Sequence, residues 1–149
     1  MLKTIFSKID GLVISFFRKT SGPFAKLAIF VVFFWFGVLK VIGDSPANPL
    51  VKNLTESTLP FLTFSQFIIC FGIFEMAIGI TFLIPKLERV AIFLLAVHMI
   101  TTFLPLVMLP FVTWQSFAVP TLEGQYIIKN LAIIGLAMGI AAHLHKHKG

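Results

Sequence analysis

Four long apolar stretches, at residues 27–43, 61–84, 90–112 and 126–142, dominate this chain of 149 residues. A helix needs about 20 predominantly apolar residues to cross a bilayer, so four crossings nearly exhaust the length. A soluble alternative fails on composition: only 12% of the residues are charged, against roughly a quarter in a soluble domain. The surplus of Phe, Ile and Leu exceeds what a soluble core of this size hides, so lipid is the expected solvent. The fold class is therefore all-α, an integral membrane four-helix bundle.

Charge placement agrees with an even number of crossings. Lys3, Lys8, Arg18, Lys19 and Lys26 precede the first stretch, Lys86 and Arg89 lie in the link between the second and third, and Lys146 and Lys148 follow the fourth. The other two links hold Asp44, Lys52, Glu56 and Glu123. Basic loops stay cytoplasmic. Both termini are thus expected in the cytoplasm, in a multi-pass protein of the bacterial inner membrane. The net charge of +6 belongs to this topology, so membrane lipids and not nucleic acid are the expected partners.

Residues 1–22 form a separate expected element. Ile5, Phe6, Ile9, Leu12, Val13, Phe16 and Phe17 recur at helical spacing, with the basic residues mostly elsewhere on the wheel. Such an N-terminal amphipathic helix is expected to lie at the membrane interface, lysines near anionic headgroups. Ser21, Gly22 and Pro23 are expected to break it. Residues 23–149 are then the four-span domain with a short basic cytoplasmic tail. The link over residues 44–60 contains Pro46, Pro49 and Pro60 and is expected to be partly irregular. The short link around Pro85 predicts an antiparallel hairpin of the second and third spans. Pro105 is expected to kink the third span or loosen one of its backbone bonds. Trp114, Phe117 and Pro120 suit an interfacial loop.

A few ionisable groups sit inside the apolar stretches. A charge at the centre of a bilayer helix costs about 2.5–3.5 kcal/mol on insertion scales, so such residues persist where they pair or line an interior site. Glu75 shares a helix face with Gly72 and Gly79, and that small-residue face predicts protein rather than lipid as its neighbour. His98, Thr101, Thr102 and Pro105 follow helical spacing and make one polar stripe. Counted from the cytoplasmic link, Glu75 and His98 lie at similar depth on consecutive antiparallel helices. A Glu75–His98 hydrogen bond able to hold or pass a proton is expected. Lys40 and Lys129 lie one turn from the outer ends of their spans, where they either point down toward Glu75 or snorkel to water. Gly37 shares the Lys40 face, and Trp35 is close by. Ala132, Gly135, Gly139 and Ala142 form a small-residue stripe expected to pack against a neighbour.

Other chemistries lack their residues. Cys70 is the only cysteine, which excludes an intramolecular disulfide or a dithiol pair, and it is read as a small apolar filler. There is no zinc-ligand spacing, phosphate loop or nucleophile elbow, and no metal is expected. Met76, Met99 and Met108 are read as filler rather than haem ligands. His143, His145 and His147 alternate with lysine in what is read as a solvated basic end.

The residues Phe34-Trp-Phe-Gly37-Val-Leu-Lys40, Gly72-Ile-Phe-Glu75-Met-Ala-Ile-Gly79 and Glu123-Gly-Gln-Tyr-Ile-Ile-Lys129-Asn130 together resemble motifs of the DoxX-like membrane proteins, in particular the branch linked to reactive-chlorine resistance. Asn130 stands where that family commonly has an acid, so Lys129 lacks that partner charge. The resemblance spans about residues 27–142 and implies a four-helix membrane bundle. It also implies an association with oxidative stress and, through some relatives, with quinone-linked oxidoreduction.

The leading functional expectation is an interior site for a small lipophilic or anionic ligand, with a quinone headgroup as the best candidate. Lys40 and Lys129 would donate to carbonyl oxygens, and Glu75 and His98 would manage protons. Thr102, Asn130 and Trp35 complete the candidate set. No flavin site, metal centre or redox cysteine pair is visible in the sequence, so a redox role needs a partner subunit or a bound cofactor. The alternatives are a small transporter or exporter, which at this length needs a homo-oligomer, and a non-catalytic membrane subunit of a larger complex.

Overall fold

The computed structural model describes residues 2–58, 61 and 63–144, with side chains from Phe6 onward. His145 and His147 of the basic tail lie outside the described residues. Helix α1 runs over Leu2–Ile42, α2 over Asn48–Thr58, α3 over Phe64–Leu83 and α4 over Glu88–Phe103. Two single-turn helices follow, α5 at Pro105–Met108 and α6 at Pro110–Thr113. Strands β1 (Trp114–Ser116) and β2 (Val119–Pro120) form a small antiparallel hairpin, and α7 runs over Leu122–Ala142. Among the described residues, four helical segments are long and apolar enough to cross a membrane: Phe6–Ile42, Phe64–Leu83, Glu88–Met108 and Leu122–Ala142.

The four long helices close a ring in which α1 packs on α3, α3 on α4, α4 on α7 and α7 back on α1. The α1–α3 seam is the most extensive, and its glycines account for that. A methyl group on Gly37 would lie 2.6 Å from the Gly72 carbonyl oxygen, and one on Gly72 would lie 2.7 Å from the Gly37 oxygen. Gly79 faces the Phe30 and Phe34 backbone in the same way. Small residues let helices approach to backbone contact where lipid offers no hydrophobic drive for association.

One apolar core fills the end of the ring nearest the α3–α4 link. It contains Ala25, Ile29 and Phe33 of α1, Ile78 and Phe82 of α3, Ala91, Leu95 and Met99 of α4, and Ala137 and Ile140 of α7. The link itself is a turn with Pro85 leading and Lys86 at φ 72°, closed by the Leu87 amide donating to the Ile84 carbonyl at 3.2 Å. Proline fixes the first central φ, and the second position is left-handed, as a type II turn requires. The expected α3–α4 hairpin is present. Beside it, Lys26 donates to Glu88 at 2.7 Å and ties α1 to the start of α4.

One local expectation is corrected. The helix does not end at Ser21-Gly22-Pro23, because α1 continues through Pro23. Proline removes one backbone donor but leaves the φ of a helix, and the neighbouring residues Lys19, Pro23 and Phe24 are exposed, so no packed neighbour is disturbed. The 44–60 link, expected to be partly irregular, carries α2 over Asn48–Thr58. Pro49 falls in its first turn, where its missing N–H costs nothing. Thr55, Ser57 and Thr58 return their hydroxyls to carbonyls four residues back. The third span runs over Glu88–Met108 with its break at Pro105: α4 ends at Phe103, and α5 and α6 follow, each opened by a proline.

The small-residue stripe of α7 is also placed differently from expectation. Gly135 and Gly139 have open space where a side chain would project, because Ile127, Ala137 and Ile140 form the inward face of that helix. At the other end of α7, the backbone of Thr113 approaches Gly124 so closely that a methyl group there would overlap its carbonyl oxygen.

Candidate functional site

Glu75, Lys40 and His98 meet in the interior. Each is nearly fully buried, at 6%, 5% and 5% exposure, on three different helices. Lys40 Nζ donates to Glu75 Oε2 at 2.7 Å, and Glu75 Oε1 lies 3.0 Å from His98 Nε2. The far ring nitrogen, His98 Nδ1, lies 3.0 Å from the Thr102 hydroxyl. One carboxylate therefore bridges an ammonium and an imidazole, and the imidazole leads on to a hydroxyl.

The helices position these groups for reasons visible in the chain. Lys40 is one turn beyond Gly37, and Glu75 is one turn from Gly72. The glycine contact that draws α1 onto α3 thus sets both charged side chains at one level. His98 is brought to the same level because the α3–α4 turn is short. Thr101 and Thr102 return their hydroxyls to the His98 carbonyl at 2.7 and 3.0 Å.

Aromatic rings enclose the imidazole. Phe71 stacks on it at 5.1 Å with 12° between planes, and Phe33 meets it edge-on at 5.0 Å. Phe67 stacks in turn on Phe71. The Lys40 ammonium lies 5.7 Å from the Phe71 ring centre. Sequence reasoning did not single out these rings. A signal was present, since Phe71 is four residues before Glu75 and Phe33 is seven before Lys40, each on the same face of its helix.

The hydrogen bonds allow two proton arrangements. With Nε2 protonated, His98 donates to Glu75, and the Thr102 hydroxyl donates to Nδ1. With Nδ1 protonated, Thr102 accepts from it and donates to the His98 carbonyl, while a proton on Glu75 Oε1 is given to Nε2. A hydroxyl is donor and acceptor at once, and a neutral imidazole presents one of each. The second arrangement holds one proton more than the first, so the cluster can take up or release a proton between Glu75 and the Thr102 end without opening the bundle.

The ammonium of Lys40 has donor capacity beyond its described partner. It carries three N–H groups, and one bonds Glu75. The core side chains Ile78, Phe82, Ala91 and Leu95 close the interior on the side of the α3–α4 turn. On the opposite side lie the half-buried Thr101 and Thr102.

The remaining candidates stand apart. Lys129 is exposed, with its ammonium 5.0 Å from the Tyr126 ring centre on its own helix. It has no described contact with Glu75, whose partners are Lys40 and His98. Asn130 donates its amide to the carbonyls of Tyr126 and Ile127, one helical turn back. Trp35 is 65% exposed on α1 and has no described contact with the cluster. Cys70 is also exposed. His143 returns Nδ1 to the Gly139 carbonyl at 2.8 Å. Among the described residues no group of three or more His, Cys, Asp or Glu gathers as a metal site. Because Trp35 and Lys129 lie outside the cluster, Trp35→Ala and Lys129→Ala are each expected to change stability by no more than about 0.5 kcal/mol, measured by thermal denaturation in detergent.

Comparison with known proteins finds no matching family model, no matching curated protein and no matching solved structure.

Proposed function

We propose that this is a multi-pass bacterial inner-membrane protein, both termini cytoplasmic, whose interior receives a small lipophilic hydrogen-bond acceptor of the quinone class at Lys40, Glu75, His98 and Thr102. Lys40 carries the proposal. A buried ammonium with one described acceptor has donors to offer a carbonyl oxygen, and it stands beside a carboxylate–imidazole–hydroxyl chain that can deliver or remove a proton. Lys40 binds the ligand oxygen, Glu75 orients Lys40 and balances its charge, and His98 with Thr102 moves the proton. The Phe67–Phe71–His98 stack offers flat faces to a planar headgroup. Any reduction of a bound quinone draws its electrons from a partner redox protein, and a role in oxidative-stress defence is the context suggested by the resemblance to DoxX-like proteins. The apolar core below the cluster supports entry from the outer leaflet, past Thr101 and Thr102.

A second reading, a non-catalytic membrane subunit, is favoured by a specific observation: both oxygens of Glu75 already have protein partners. In that case the cluster is scaffold.

Titration of the purified protein in nanodiscs with a short-chain ubiquinone analogue separates the two. Glu75→Gln keeps the shape and leaves hydrogen-bonding atoms toward both neighbours, but removes the charge that orients Lys40. Hydrogen bonds to charged groups contribute about 1.5–3 kcal/mol, so binding is expected to weaken at least about tenfold while the bundle stays folded. Equal binding by parent and variant, or none by either, would favour the scaffold.

A further inference from the structure

Over its described side chains, the first half of α1 is exposed. From Phe6 to Lys19 every residue is exposed. Phe6, Ile9, Leu12, Val13, Phe16 and Phe17 are all at least 45% exposed. At 3.6 residues per turn they fall on one side, while Ser7, Lys8, Gly11, Ser15, Arg18 and Lys19 fall on the other. The Lys26–Glu88 pair marks the level at which α1 joins the bundle. The 16 residues after it, to Ile42, rise about 24 Å and use up most of a hydrocarbon layer about 30 Å thick. The residues before it must therefore leave the hydrocarbon, still carrying an apolar face.

We propose that the Phe6–Phe24 half of α1 docks along an anionic bilayer surface, remaining helical and pivoting at Pro23, with its Phe-rich side in the acyl boundary and Lys8, Arg18 and Lys19 among the headgroups. Charge selects this occupant. Three cations against the single acid Asp10 fit an anionic lipid surface, whereas a second copy of the same helix would bring like charges together. Pro23 supplies the pivot because it lacks the amide that would hold the Lys19 carbonyl, and Gly22 beside it has open space around its α-carbon. The surface engages the protein independently of the interior cluster.

The test uses the full chain with Cys70→Ser, labelled with an environment-sensitive dye at Val13→Cys or, on the opposite side, at Ser7→Cys. Vesicles are phosphatidylcholine alone or mixed with phosphatidylglycerol. In the mixed vesicles the Val13 label is expected to shift to the blue and to be quenched by aqueous iodide on the order of threefold less than the Ser7 label. Replacing Lys8, Arg18 and Lys19 with Gln is expected to reduce that protection. Equal iodide access at both positions in both vesicle types would overturn the proposal. So would protection lost on dilution of the protein in the bilayer, the signature of a second copy.

Discussion

Glu75→Ala is expected to destabilise the bundle by about 3–5 kcal/mol, because it strands a buried ammonium and a buried imidazole on the two neighbouring helices. The purified variant should lose monodispersity on mild heating in detergent, at temperatures where the parent is unchanged. The informative companion is the double variant Lys40→Met with Glu75→Leu. Replacing a buried ion pair by apolar groups of similar size is often neutral or stabilising, since neither charge then needs desolvation. The double variant should therefore recover most of the stability that Glu75→Ala loses, and should bind no quinone analogue. A double variant as unstable as Glu75→Ala would show that the pair is indispensable to folding and not replaceable by packing.

Gly37→Ala is the second large effect expected. Its new methyl group would lie 2.6 Å from the Gly72 carbonyl oxygen, 2.7 Å from Met76 Cγ and 3.0 Å from the Met76 amide. Methionine can turn aside, but the backbone cannot, so α1 must move off α3. Overpacking of this kind typically costs about 1–3 kcal/mol. The displacement also carries Lys40 from its 2.7 Å contact with Glu75, so ligand affinity should fall together with stability. Gly135→Ala is the matched control, because nothing lies within 4 Å of its added methyl. Thermal denaturation and ligand titration on both variants check the pair. Equal behaviour of the two would mean that the α1–α3 seam is looser than backbone contact.

The centre of the site was legible because its signals are local and costly. Charged residues inside apolar runs must find one another, and the short turn between α3 and α4 leaves only one register for Glu75 and His98. Lys40 was legible as a candidate for the same reason, through the glycine one turn before it. Lys129 was grouped with it on depth alone. Depth does not distinguish two sides of a helix, and the side facing inward on α7 is set by Ile127, Ala137 and Ile140 rather than by the glycine stripe. The proline at position 23 misled because it was weighed as a local breaker, whereas it leaves the helical φ intact. In the 44–60 link, prolines hid a helix whose first turn accommodates Pro49. The Phe cage around His98 was obscured by abundance: 18 phenylalanines offer no contrast from which to pick two.

Solid-state NMR in bilayers offers the most direct measurement, with carbon–nitrogen recoupling from the Glu75 side-chain carboxyl to Lys40 Nζ and His98 Nε2. Strong couplings to both nitrogens, and no contact between that carboxyl and lipid acyl protons, are the expected result. A carboxyl coupled to neither nitrogen and in contact with acyl chains would contradict an interior cluster, and with it the ligand site.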